Sequence, residues 1–256
     1  MTEKWRDLGP RVISAVVMLA LAIGAALAGP FWFAVLVSVA TGLMVWELVR
    51  MHEPRFVMLP EITASVTVAV VFTTYPLLLG ILALYAIGAT AVFALLLTLA
   101  VKRDQLYFAP YVLAILLTGN LLAGMSLAAP KTVFLLLAIV IVTDVAGYFA
   151  GKSFGGPKFW PRISPKKTWS GIVAGWVASG VVGALAVMTG HVGPLFIATA
   201  IFMSFGSQMG DIVESALKRR AGVKDSSGLI PGHGGVLDRF DGVIGASLVL
   251  FIYMVT

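Results

Sequence analysis

The chain has 256 residues, of which 59% are hydrophobic and only 12% charged, and its formal net charge is +6. Its mean hydropathy of +0.99 lies far above that of soluble domains. This composition excludes an ordinary soluble protein, and the absence of cysteine excludes disulfides and thiolate metal sites. We expect an integral membrane protein.

Long uncharged stretches follow one another along the chain. A bilayer core requires about 20 apolar residues per helix, and nine stretches approach this length: 12–28, 31–49, 58–79, 81–101, 109–128, 133–150, 171–189, 193–213 and 240–256. Backbone groups in lipid must be paired within their own segment, so these runs predict helices rather than barrel strands. The expected fold is all-α, a polytopic transmembrane helical bundle of about nine spans. Eight is the alternative, because only Pro76 and Gly80 interrupt spans three and four and span nine is short.

The cationic residues are distributed unevenly between the predicted loops. With a cytoplasmic amino terminus, all of the 18 cationic residues except Lys131 fall on the cytoplasmic side. Membrane orientation therefore explains the net charge without a nucleic acid partner. Lys4, Arg6 and Arg11 before an apolar stretch also resemble a signal peptide, whose cleavage would leave the later spans oriented as before.

Polar residues concentrate in the second half of the chain. We interpret residues 1–256 as a single integral membrane domain, in which 1–132 are mainly scaffold spans and 133–256 form the catalytic half. The first five spans hold almost no ionisable residue away from their ends. From Asp144 onward, acids enter the spans and long polar loops connect them.

The end of the eighth span combines acids, a hydroxyl and a cation. Asp211, Glu214, Ser215 and Lys218 have the spacing i, i+3, i+4 and i+7, which places them on one helix face. A carboxylate at this depth requires a partner or a metal. The alternative is that Asp211 and Lys218 only mark where the helix leaves the bilayer, with Glu214 pairing Lys218.

Two further acids, Asp238 and Asp241, stand at the start of the ninth span. Mg²⁺ binds carboxylate oxygens together with substrate phosphates, and two metals can stabilise both oxygens of a phosphoryl-type displacement. Convergence with Asp211 would give a metal site of Asp211, Asp238 and Asp241. The alternative is that the two later acids cap a helix amino terminus.

A glycine-rich turn, Pro231–Gly235, lies between these acid groups. Glycines let backbone amides approach phosphate oxygens, and we expect His233 to contact phosphate rather than act as a base. The counter-charges for a triphosphate would be Lys218, Arg219, Arg220, Lys224 and Arg239. Positive-inside topology is their alternative explanation, but it does not account for the interleaved acids and glycines.

A second polar group begins in the sixth span. Asp144, Gly147, Tyr148 and Gly151 share a helical face, and the loop segment 163–169 follows with Lys166 and Lys167. An intramembrane acid requires a partner, which the loop lysines or a bridging nucleotide phosphate would supply. The alternative is that these lysines bind anionic lipid headgroups.

The residues of the long polar run match a known signature. The pattern resembles that of the phosphatidate cytidylyltransferases, or CDP-diacylglycerol synthases, at every specified position: Ser215-x-Leu217-Lys218-Arg219-x4-Lys224-Asp225-x-Ser227-x2-Ile230-Pro231-x-His233-Gly234-Gly235-Val236-x-Asp238-Arg239-Phe240-Asp241. The resemblance extends to Gly210-Asp211-x-x-Glu214-Ser215 and to Ile163–Trp169. Two departures occur: Thr143 precedes Asp144 where a serine is common, and Ser170 replaces a frequent glutamate.

The resemblance implies a transferase of phospholipid biosynthesis that joins CTP and phosphatidic acid to give CDP-diacylglycerol and pyrophosphate. It implies Mg²⁺, at two divalent sites or at one divalent site plus a second cation, and a multi-pass protein of the bacterial cytoplasmic (inner) membrane with a cytoplasmic active site. The implied partners are CTP, phosphatidic acid and membrane lipids, with a homodimer left open and no nucleic acid. The implied catalytic residues are Asp211, Ser215, Lys218, Asp238 and Asp241, and the implied substrate-binding residues are Asp144, Lys166, Lys167, Arg219, Lys224, Asp225, His233, Gly234, Gly235 and Arg239.

Rival functions predict different patterns. A transporter or channel predicts acids spread across the bilayer depth, whereas here they cluster on the predicted cytoplasmic side. Two alternatives fit the same cluster of acids and stay open: a CTP-dependent lipid kinase, and a cytidylyl transferase that acts on another lipid phosphate.

Overall fold

The computed structural model describes residues 8–56, 58–78 and 82–255. Three residues on which the sequence predictions rest, Lys4, Arg6 and Gly80, lie outside the described residues. The side chain of Arg11 lies outside them too.

The described residues form nine α-helices and one small hairpin, which confirms the all-α polytopic prediction. The helices are α1 (Leu8–Ala28), α2 (Pro30–His52), α3 (Met58–Thr74), α4 (Ala83–Ala100), α5 (Gln105–Ala128), α6 (Pro130–Ser153), α7 (Trp169–Met188), α8 (Phe196–Ala221) and α9 (Leu237–Val255). The strands β1 (Lys158–Trp160) and β2 (Ser164–Thr168) pair antiparallel, with Lys158 opposite Thr168 and Trp160 opposite Ser164. A 3₁₀ turn, Tyr75–Leu78, follows α3 and contains Pro76.

The helix boundaries follow from simple sequence signals. Pro30 and Pro130 open α2 and α6, where a missing backbone N–H costs nothing. Thr168 caps α7, since its side chain accepts a hydrogen bond from the Gly171 N–H at 3.3 Å. In the described part of the chain, the seven helices α2 to α8 are long and apolar enough to cross a membrane, and a shorter apolar stretch covers Val12–Ala28. Membrane crossing by α1 and α9 stays a prediction.

The chain divides into two compact units. The first unit comprises the described residues of Met1–Pro130 together with Ala221–Phe240, and the second comprises Lys131–Arg220 and Asp241–Thr256. The first unit therefore combines the amino-terminal helices with most of the signature loop between α8 and α9. The predicted division into a scaffold half and a catalytic half stays a prediction.

The first unit is built around α2 and α5, which pack against each other and against α3. Close approach depends on small residues: a Cβ at Gly42 would come within 2.6 Å of the Val68 side chain. Asn120 in α5 is buried and accepts a hydrogen bond from Thr74 at 2.6 Å, while it donates to Thr90 at 3.1 Å. Buried apolar side chains and a fully paired amide thus hold these helices together.

In the second unit, glycines bring helix backbones into direct contact. A Cβ at Gly206 of α8 would lie 2.6 Å from the carbonyl oxygen of Gly245 in α9, and one at Gly210 would meet the carbonyl oxygen of Asp241. Between α6 and α7, a Cβ at Gly171 would lie 2.6 Å from the Gly147 carbonyl oxygen. The glycines in these helices therefore serve helix packing.

Candidate functional site

Three carboxylates of the second unit converge where α8 and α9 touch. One oxygen each from Asp211, Glu214 and Asp241 lies within 4.8 Å of the other two. The backbone contact at Gly210 sets this distance, since Gly210 precedes Asp211 and meets the backbone of Asp241. Three negative charges this close repel one another unless cations neutralise them. The cluster has the ligand chemistry of a divalent metal site.

Lysine side chains neutralise two of these acids. Lys167 of β2 reaches α8, where its Nζ lies 2.6 Å from Asp211 Oδ2 and donates to the Gln208 carbonyl oxygen at 3.2 Å. Lys218 pairs with the fully buried Glu214 one turn earlier in the same helix. The predicted Glu214–Lys218 pair is therefore present, and Ser215 Oγ donates to Asp211 Oδ1 at 3.3 Å. Lys167 was expected to bind substrate, and the structure adds this direct contact with an acid of the cluster.

A cavity of about 330 Å³ adjoins the acid cluster through Lys167. It is lined by residues of α6, the hairpin, α7 and α8: Thr143, Asp144, Gly147, Tyr148, Gly151, Lys152, Lys166, Lys167, Thr168, Gly171, Ile172 and Gln208. The second polar group predicted from the sequence is thus assembled into one cavity. Three lysines against one aspartate give it a positive lining, which suits a phosphate group.

A buried network of hydroxyls and amides holds the cavity wall in place. Thr143 Oγ1 lies 2.9 Å from Ser179 Oγ and donates to Ser204 Oγ at 2.8 Å. The Gln208 side chain accepts from Trp176 Nε1 at 3.0 Å and donates to the Ile172 carbonyl oxygen at 3.2 Å. Helices α6, α7 and α8 are tied together by these bonds. Thr143, one of the two departures, therefore has a structural partner on each neighbouring helix.

The other departure, Ser170, lies in the first turn of α7. Its Oγ donates to the Gly155 carbonyl oxygen at 2.5 Å and lies 3.0 Å from Thr168 Oγ1. The hydroxyl links the start of α7 to the loop that precedes the hairpin. Ser170 therefore has a local structural role that requires no charge.

In the first unit, Asp238 holds the signature loop. Its Oδ2 accepts hydrogen bonds from the Ser226 N–H at 2.9 Å, the Ser226 hydroxyl at 2.9 Å and the Gly235 N–H at 2.7 Å. Asp238 lies in the first turn of α9 and all three donors precede that helix, so its carboxylate ties the loop to the start of α9. The metal role of Asp238 stays a prediction that rests on the resemblance.

A second carboxylate, Glu47 of α2, contacts the same loop. Its side chain is fully buried, and each oxygen accepts two hydrogen bonds. Oε1 accepts from the Ser227 hydroxyl at 2.6 Å and the Val236 N–H at 2.9 Å, and Oε2 accepts from the Ser226 hydroxyl at 3.1 Å and the Leu237 N–H at 2.6 Å. Sequence reasoning missed Glu47, although an acid inside an apolar span was a signal that it needs a partner.

The glycine-rich turn is shaped by its backbone and by α1. Gly232 and Gly234 have φ values of 74° and 83°, a region that favours glycine, and Ile230 bridges to Gly234. Ser14 of α1 lies 2.6 Å from His233 Nδ1, and its hydroxyl is within 3.1 Å of the Pro231 carbonyl oxygen. Within the first unit, α1 therefore contacts the glycine-rich turn through Ser14.

The remaining predicted substrate-binding residues differ in exposure. The four charged residues Arg219, Lys224, Asp225 and Arg239 are exposed. Within the second unit the structure brings together Asp211, Ser215, Lys218, Asp241 and Lys167, and it places Asp144 and Lys166 in the adjoining cavity. Their assignment to catalysis and substrate binding stays a prediction.

Comparison with known proteins connects this geometry to a family. A family model described as the Cytidylyltransferase family matches residues 9–256. A phosphatidate cytidylyltransferase of Brucella suis is 44% identical over 143 residues, which is 54% of this chain and 52% of the relative. The proteins of that name from Bacillus subtilis and Rickettsia conorii are 43% identical over 112 residues and 38% identical over 129 residues. These matches cover 43% and 47% of this chain and 42% and 56% of the relatives. The chain spans about half the length of the curated relatives it matches.

Proposed function

This chain belongs to the cytidylyltransferase family, and from that premise we propose that it transfers a cytidylyl group from CTP to phosphatidic acid. The products would be CDP-diacylglycerol and pyrophosphate. One observation carries the proposal: Lys167 lines a lysine-rich cavity between apolar helices and also pairs with Asp211 of the adjoining carboxylate cluster. The matched relatives bear the name of this activity.

The acid cluster suits a magnesium ion by its donor set. Its three groups are all carboxylates, the hard oxygen donors that Mg²⁺ prefers. Asp211 and Asp241 would hold the ion, with Asp238 as the further ligand that the resemblance implies. When bound, Mg²⁺ would neutralise the negative charge of the phosphates. Two divalent sites, or one divalent site with a second cation, both stay within the proposal.

The reaction would need little proton transfer. A phosphate oxygen of phosphatidic acid attacks the α-phosphorus of CTP, a new P–O bond forms, and the bond from the α-phosphorus to the bridging oxygen breaks to release pyrophosphate. The attacking oxygen is already ionised, so the task of the protein is positioning and charge stabilisation.

The cavity is the proposed site for the lipid phosphate. Lys166 and Lys167 would bind that phosphate, and Asp144, which lines the same cavity, would orient the lysines. Lys218, Arg219 and Lys224 would stabilise the departing pyrophosphate, and His233, Gly234, Gly235, Asp225 and Arg239 would contact the nucleotide. Ser215 would orient Asp211, to which its hydroxyl donates.

A site of this kind must serve one substrate confined to the bilayer and one dissolved in water. We place it at the cytoplasmic surface of a bacterial inner membrane, because the cationic loops predict a cytoplasmic amino terminus. Phosphatidic acid would enter sideways between helices, and CTP would arrive from the cytoplasm.

The test is an assay of the purified protein in detergent micelles. The protein is incubated with phosphatidic acid, MgCl₂ and CTP labelled at the α-phosphate, and the lipid product is analysed by mass. The Asp211→Asn variant should lose product formation by about 10³-fold or more, because an uncharged amide binds Mg²⁺ poorly. Asp104→Asn is the matched control: Asp104 has a φ of 54°, which asparagine also tolerates, and it should keep normal turnover.

The label separates the rival activities. Label in the lipid with release of pyrophosphate supports cytidylyl transfer, whereas phosphorylated lipid with CDP indicates a kinase. Activity only with a different lipid phosphate would identify another acceptor. Near-normal turnover of Asp211→Asn would refute the metal assignment.

A further inference from the structure

We propose that Glu47 is a positioning residue that gives the signature loop its shape, and hence that α2 is part of the machinery for cytidylyl transfer. This inference rests on the proposed function for its catalytic consequence. Its structural basis lies within the first unit, where one carboxylate contacts both ends of the loop 226–237.

The loop closes around this carboxylate. Ser226 and Ser227 belong to its first residues, and Val236 and Leu237 lead into α9. Each Glu47 oxygen accepts one hydrogen bond from each end of the loop, so the carboxylate fixes the distance between residues nine and eleven positions apart in sequence. The exposed residues Lys224, Asp225 and Arg239 flank the fixed points, so their positions depend on the same anchor.

The charge of Glu47 is matched to this environment. A buried carboxylate is costly unless hydrogen-bond donors surround it. Here the Ser227 hydroxyl and the N–H groups of Val236 and Leu237 donate to Glu47, and the single hydroxyl proton of Ser226 is shared between Glu47 and Asp238. Two of these donors are backbone amides at the amino terminus of α9, where the helix dipole also favours a negative charge. A glutamine could not satisfy all four, since its NH₂ group donates instead of accepting.

Glycine at position 235 fits the same arrangement. A Cβ there would lie 2.6 Å from Cδ of Glu47 and would also meet the Ser226 hydroxyl. The sequence predicts that Gly235 lets the backbone approach phosphate. The structure gives it a second reason to lack a side chain, which is to admit the Glu47 carboxylate.

The test compares Glu47→Gln with Glu53→Gln. Glu53 is the matched control because it is also a buried glutamate at the end of α2 and accepts two backbone N–H bonds, from Lys102 at 2.6 Å and Arg103 at 3.2 Å. Amide hydrogen exchange is measured by mass spectrometry on peptides covering 225–240, and steady-state kinetics are measured with CTP and phosphatidic acid.

In Glu47→Gln, at least one of the Val236 and Leu237 amides should exchange about tenfold faster, because it loses its carboxylate acceptor. The value of kcat/KM should fall by about 10²-fold. Glu53→Gln should leave both unchanged even if it lowers the melting temperature equally. If Glu47→Gln aggregates, Ser227→Ala, which removes one donor, should give the same two changes to a smaller degree.

Two results would overturn the inference. One is wild-type exchange at these amides in Glu47→Gln or, if that variant aggregates, in Ser227→Ala. The other is an equal loss of activity in the glutamine variants of Glu47 and Glu53. Absence of cytidylyl transfer by the wild-type protein would instead refute the proposed function, and the exchange experiment, which needs no substrate, would still decide whether Glu47 shapes the loop.

Discussion

Gly210→Ala should damage the acid cluster without removing any of its acids. A Cβ at Gly210 would meet the carbonyl oxygen of Asp241 and would lie 3.0 Å from its carbonyl carbon and 3.1 Å from the Gly245 nitrogen. Non-bonded carbon contacts are favourable at about 3.5–4.0 Å, so α8 and α9 must separate by about 0.5–1 Å. All three obstructing atoms belong to backbone, which cannot rotate away.

The expected cost has two parts. Overpacking of this kind costs about 1–3 kcal/mol, which corresponds to a decrease in melting temperature of about 2–10 °C for a chain of this size. The same displacement moves Asp211 away from Asp241, and a misplacement of about 1 Å can reduce turnover by about 10²-fold. Activity should therefore fall by about two orders of magnitude in a protein that still folds.

The assay pairs thermal unfolding in detergent with CTP-dependent formation of lipid product. Gly88→Ala is the control, because Gly88 is also a helical glycine and nothing lies within 4 Å of its Cβ position. That variant should keep its activity and gain about 0.5–1 kcal/mol. Normal activity of Gly210→Ala in a folded protein would refute the claim that the α8–α9 backbone contact sets the geometry of the acids.

Three further predictions concern single side chains and the metal. Lys167→Met should raise the KM for phosphatidic acid and lower kcat, so that kcat/KM falls by about 10²-fold, because the change removes the ion pair with Asp211 and a cation of the cavity. The control is Lys158→Met, since Lys158 is exposed. Equal kinetics of the two variants would contradict the cavity assignment. Ser170→Ala should stay within about twofold of wild-type turnover, because its hydroxyl makes local bonds to Gly155 and Thr168. A loss of about 10²-fold would contradict this local role. Removal of divalent ions with EDTA should abolish product formation, and added Mg²⁺ should restore it. Calcium should restore little activity, because it prefers more ligands and longer bonds than Mg²⁺. Full activity in EDTA would exclude a divalent requirement.

The sequence predicted the helices well because hydropathy and helix formation coincide in a membrane. Each of the nine predicted spans corresponds to one helix in the described part of the chain. The hairpin of β1 and β2 was not predicted, since a strand of three residues has no detectable period. The spacing of Asp211 and Glu214 correctly indicated a shared helix face, because local periodicity determines it.

Contacts between distant parts of the chain were beyond the reach of this reasoning. Asp241 joins the acid cluster only because glycines allow α8 and α9 to touch, and spacing alone does not specify which helices are neighbours. Glu47 is separated from the residues it binds by 179 to 190 positions. Its partners could be identified only from the fold, although the cost of an isolated buried acid already indicated that partners must exist.

The residues that form hydrogen bonds with Glu47 and Ser14 belong to the signature motif, whereas Glu47 and Ser14 themselves lie in the amino-terminal helices α2 and α1. A shortened protein that begins after α5 would keep every residue of the motif but would lose the Ser14 and Glu47 side chains that contact it. A transplant of this motif onto another membrane scaffold would keep these contacts only if α1 and α2 were carried along with it.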